Sequence, residues 1–163
     1  MSTVRTRQGA LLRLCALIVA LTPLTEAQVL LGYRDLPRPS GAHVTVLPLA
    51  SPAVGFPRGA HHARELQILL TAYGEAATQA LDALATALWS DAPAMHAASA
   101  DGLAIRAVAP VQDQTALQAT SYEPRSSVTV TVGFVAAPEV PAPAEAGSIT
   151  LDVDGETVLE ASL

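Results

Sequence analysis

The stretch ELQILLTAYGEAATQALDALATALW, Glu65 to Trp89, changes its apolar period once, and that change limits the folds open to the chain. Leu66, Ile68, Leu70 and Ala72 alternate with Gln67, Thr71 and Tyr73, the period of two of a half-buried strand. After Gly74 the period becomes helical. Ala77, Leu81, Leu84 and Leu88 are spaced by four, three and four, with Thr78, Gln79, Asp82 and Thr86 away from that stripe. Alanine fills much of the remainder, which favours helix and a close approach to a sheet. Ser90, Asp91 and Pro93 end the pattern. The sequence therefore predicts a strand, a tight turn and a helix of about four turns folded back on the strand's apolar face.

The other segments add to this unit. The chain has 163 residues, enough for one domain with a real core. Apolar residues make up 50% and aromatics 4%, so the core should be thin and built from Ala, Leu and Val. Arg5, Arg7 and Arg13 border the apolar run Leu14–Leu21, and two readings stand for residues 1–27. One is a secretory signal peptide with Thr25-Glu26-Ala27 as a poor cleavage site. The other is a packed helix with Leu11, Cys15 and Ile18 on one face, Leu14 and Leu21 widening it, and Pro23 as its stop. The run is too short to span a bilayer, and no membrane partner is expected.

Pro37, Pro39 and Gly41 give an extended lead into a short strand, His43 to Leu47. Ala50 to Arg64, with Pro52, Gly55, Pro57 and Gly59, reads as a long exposed loop, either an interaction element or a mobile one. Beyond the central helix, Ala94–Ala100 suggests another helical turn or two and Asp101-Gly102 a turn. Leu103–Val108 reads as a strand and Ala109–Pro124 as a polar connection. In YEPRSSVTVTVGFVAAP, Val128, Val130, Val132 and Phe134 share one face and Thr129 and Thr131 the other, the pattern of an antiparallel strand with one open face. Pro138, Pro141 and Pro143 form a stiff linker. Asp154-Gly155 sits between two alternating runs and predicts a hairpin, with Ile149, Leu151 and Val153 on one face and Val158 across from Leu151. A lone hairpin is marginal, so it should dock on its own sheet or on a neighbouring subunit. The chain divides into an α+β domain over 1–137, a linker over 138–147 and a hairpin over 148–163. The domain should hold a small mixed or antiparallel sheet with helices on one face.

Chemistry is hard to find. There is no Gly-x-Ser-x-Gly, no phosphate-binding Gly-rich loop with Lys, no His-Glu-x-x-His and no cysteine pair. Cys15 is the single cysteine, which excludes an internal disulfide and a multi-cysteine metal site. The adjacent His61 and His62 do not aim at one metal, and Asp152, Asp154 and Glu156 fall in a loop too short for calcium. No enzyme activity, cofactor or metal is expected. The net charge of -6, with no lysine at all, argues against nucleic-acid binding as the main role.

In order and spacing, Arg38-Pro39 before a short strand, Tyr73-Gly74 at the end of the next, a helix, and Tyr122-Glu123-Pro124-Arg125 before the late strand resemble the phage neck (tail) terminator family. The resemblance covers roughly residues 10–136 and departs at Ala50–Arg64 and after Pro143. The family's N-terminal helix fits Thr6–Leu21, which favours the packed-helix reading; the alternative is a secreted or periplasmic binding protein. The resemblance implies a virion structural protein at the neck, assembled in the host cytoplasm. It would form a ring, by family expectation a hexamer, that ends the tail tube and meets the head–tail connector or adaptor. Genome DNA would pass through the lumen without specific binding. The interface residues expected are Arg38, Arg58, His61, His62, Arg64 and Arg125, with Ile149, Leu151, Val153 and Val158 of the hairpin.

Overall fold

Thr6 starts the first helix, α1 (Arg7–Leu21), because its side chain accepts the Gly9 N–H at 3.0 Å. The computed structural model describes residues 4–32, 41–55, 62–118, 121–137, 149–153 and 156–161. Ala10, Leu11, Leu14, Leu17 and Ile18 form the buried stripe of α1. At its end the Thr22 hydroxyl donates back to Ile18 O at 2.6 Å, just before Pro23. The five side chains of the stripe are part of the core cluster. Cys15 lies beside the stripe, and burial pushes its thiol up to about 11. At neutral pH it is a protonated, apolar packing group.

A 3-10 turn at Glu26–Gln28 leads into β1 (Val29–Leu31), and the Gln28 side chain donates to Ala42 O at 2.9 Å. β1 runs parallel to β2 (His43–Ala50), which pairs antiparallel with β3 (His62–Tyr73). Helices α2 (Glu75–Ala87) and α3 (Pro93–Ala100) follow, then β4 (Ala104–Val108), β5 (Gln112–Asp113), β6 (Ala116–Gln118), β7 (Ser121–Glu123) and β8 (Arg125–Ala136). The sheet order is β1-β2-β3-β8-β4, with β5 beside β8 below β4, and only β1 makes it mixed. β6 and β7 form a small hairpin. β9 (Ile149–Val153) and β10 (Glu156–Ala161) form a two-stranded sheet of their own.

The α+β class expected from the sequence holds, and so does the period change at Gly74. Leu66, Ile68, Leu70 and Ala72 of β3 and Val128, Val130, Val132 and Phe134 of β8 are buried toward the helices. Ala77, Ala80, Leu81, Leu84 and Leu88 of α2 and its last turn meet them in one apolar cluster that also takes in α1. Each large aliphatic side chain so buried contributes about 1.5–3 kcal/mol. Gly74 has φ +82, and a Cβ there would lie 3.3 Å from Ala42 Cα, so both conformation and space call for glycine. Its N–H donates to Pro124 O at 2.8 Å, which fixes the strand-to-helix corner against the start of β8. α1 is held to the end of α3 by the Arg13–Asp101 ion pair at 2.9 Å and by the Val4 N–H to Asp101 O.

Two expectations need correction. The 50–64 segment is not loop to its end. His62 and Arg64 already belong to β3, opposite Ala136 and Phe134, and Ala53 bridges Arg64. The alternation that marks a strand is hidden there because His62, Ala63 and Arg64 lie past the helices and stay exposed. The 109–124 connection contains three short strands. The Thr115 hydroxyl and N–H both donate to Asp113 Oδ1, which holds that carboxyl below its usual range and turns the chain from β5 toward β6.

Leu84→Asp places an unpaired charge in the centre of this cluster and should cost several kcal/mol, enough to prevent folding. Circular dichroism should show a lost cooperative melt. An unchanged melting temperature would mean that Leu84 does not face the sheet.

Candidate functional site

The strand residues that alternate with the core point to a sheet face with no helix on it among the described residues. On it lie Thr45, Leu47, Gln67, Leu69, Thr129, Thr131 and Val135. Leu47 is 36% exposed and Val135 52%. Hydroxyls with a few large apolar groups make a surface that water tolerates and that a second protein can cover.

At one end of this face a polar row crosses three strands. His43, Tyr73 and Arg125 occupy matched positions on β2, β3 and β8. The His43 ring stacks on Tyr73 with centroids 4.7 Å apart and an angle of 11°. The Arg125 guanidinium lies 4.8 Å from the centre of the Tyr73 ring, and its Nη2 donates to the Tyr73 hydroxyl at 3.1 Å. His43 Nδ1 donates to Gly41 O at 2.9 Å, since a carbonyl can only accept. His43 Nε2 and Arg125 Nε are buried without a hydrogen-bond partner. The row thus ties β2, β3 and β8 together at this end of the sheet.

At the opposite end of β3 and β8, His62 and Arg64 converge with Arg5 and Arg7 from the start of α1. These four line a cavity of about 400 Å³ with Thr6, Phe134, Ala136 and Ala137.

The expected interface residues therefore divide. Arg125 is in the polar row, while His62 and Arg64 sit at the cavity, about 35 Å away along the strand at ~3.3 Å per residue. Arg38, Arg58 and His61 lie outside the described residues. Ile149, Leu151 and Val153 are on β9, with Val158 on β10. The register places Leu159, not Val158, opposite Leu151, because a register shift between Thr157 and Leu159 absorbs Val158. Arg5 and Arg7 were legible only as charges before an apolar run. His43 gave no signal at all, since its partner Tyr73 is 30 residues away and depends on the register of β2 with β3. Among the described residues no three His, Cys, Asp or Glu side chains are grouped to hold a metal ion.

A family model described as "Phage neck terminator protein" matches residues 10–160. No curated protein matches the chain.

Arg125→Met should remove the ring contact and the hydroxyl hydrogen bond together, a loss of about 1–3 kcal/mol. The melting temperature should fall by roughly 3–10 °C on a chain of this size. An unaltered melt would show that the row does not brace the sheet.

Proposed function

The chain belongs to the phage neck terminator family, a family of structural proteins of the virion neck, and on that premise we propose that six copies close into a ring. This ring ends the tail tube and joins it to the head–tail connector. It assembles in the host cytoplasm, carries no catalytic role, and leaves a lumen through which genome DNA passes.

The observation that supports the ring most directly is a sheet on which, among the described residues, helices pack on one face only. A closed cyclic assembly needs two different surfaces on each subunit, one offered and one received. On the opposite face Leu47 and Val135 expose apolar surface among the described residues, which supports a contact with a neighbouring protein, and the two-stranded sheet β9–β10 supports an element offered to the next subunit. The negative net charge suits a lumen that does not retain DNA.

Purified protein added to growing tail tubes should cap one end and stop lengthening, seen in the tube-length distribution by electron microscopy. Tubes that lengthen as before, with the protein left in the supernatant, would contradict the reading. Deleting Gly147–Leu163 should leave a cooperatively folded subunit, because the core formed by the described residues spans 4–136, but should weaken capping. A truncated protein that no longer folds would show instead that the hairpin belongs to its own subunit's core.

A further inference from the structure

The cavity at the start of α1 gathers positive charge in an acidic chain. Arg5, Arg7, His62 and Arg64 line it, with no carboxylate among the described lining residues. The ion pairs among the described residues are Arg13–Asp101 and His96–Asp91, and Arg5, Arg7 and Arg64 are in neither. Arg64 Nη1 donates to Ser51 O at a long 3.5 Å, which leaves its charge uncompensated. All four side chains are exposed.

The matching charge is at the other end of the same chain. No basic residue follows Arg125, while residues 138–163 contain Glu139, Glu145, Asp152, Asp154, Glu156 and Glu160. This acidic segment leaves the fold at the cavity itself. Ala136 and Ala137 line the cavity, and the Ala137 N–H donates to Arg5 O at 3.3 Å. Residues 138–148 include Pro138, Pro141 and Pro143. A proline-rich stretch of roughly eleven residues extends by ~3.1 Å per residue, about 34 Å in all. That is close to the diameter of a domain of this size. A reach of about that length is enough to bring the hairpin to the same cavity on an adjacent copy.

We propose that Arg5, Arg7, His62 and Arg64 of one subunit bind the acidic C-terminal hairpin of the next. The inference rests on the ring reading and gives that ring its clasp. Each copy offers one hairpin and receives one, as a closed head-to-tail ring requires. Isolated exposed ion pairs contribute little, but several charges of one sign around a concave site reinforce each other and set orientation as well as encounter rate.

The test uses two full-length proteins, one with Ala136→Cys and one with Thr157→Cys, both with Cys15→Ala. Neither substitution removes a charge. Mixed under mild oxidation, they should give a disulfide heterodimer on a non-reducing gel. Its yield should fall roughly tenfold in about 0.5 M salt, and equally when Arg5, Arg7 and Arg64 are changed to Glu in the Ala136→Cys protein. A Thr129→Cys protein, altered on the uncovered sheet face, should not cross-link to Thr157→Cys. Sedimentation of the same mixtures separates the two readings. Association without the cross-link overturns the clasp and leaves the ring. Absence of both overturns the clasp and counts against the ring. A disulfide that forms only within a chain carrying both cysteines overturns exchange between subunits. A short DNA oligonucleotide retained by the unmodified cavity but not by the Glu variant, with no cross-link, assigns the cavity to nucleic-acid phosphate instead.

Discussion

The pairing of β3 with β8 runs the full length of both strands, from His62 opposite Ala136 to Tyr73 opposite Arg125. Each other element takes its position from that ladder. Its inward side chains are the floor on which α1 and α2 lie. β2 extends it on one side, and β4 and β5 share the other side of β8 end to end. Because side chains alternate along a strand, one register fixes both the core and the uncovered face. A slip of one residue would bury Thr129 and Thr131 and expose Val128, Val130 and Val132. The two ends of the ladder carry the polar row and the basic cavity, so the same register sets their separation.

What could be read from the sequence follows from this geometry. The β3–Gly74–α2 unit was plain because its period changes at a residue with a positive φ, and β8 was plain because Val and Thr alternate without a break. The helix α1 was open to two readings, since an apolar stripe flanked by arginines fits both a leader and a packed helix. Its burial against the sheet is a tertiary fact. β1 and the start of β3 were missed for different reasons. Val29–Leu31 is too short to show a period, and His62–Arg64 pairs as strand while its side chains stay exposed. The basic cavity was half legible. His62 and Arg64 were singled out, but Arg5 and Arg7 joined them only through the placement of α1 across the sheet. Tyr73 and Arg125, two of the residues that carried the family resemblance, touch.

Charge is organised along the chain in a way that suits assembly. Arginines gather toward the N-terminal half, and the last segment is wholly acidic. Among the described residues the helices pack on one face of the sheet, and the other face exposes Leu47 and Val135.

Electron cryomicroscopy of particles carrying this protein tests the ring most directly. The account expects six copies in a closed ring at the top of the tail tube, beneath the connector, with the uncovered sheet faces or the hairpins at the contacts between subunits. Density for the protein elsewhere in the particle, or single copies at the neck without rotational symmetry, would contradict it.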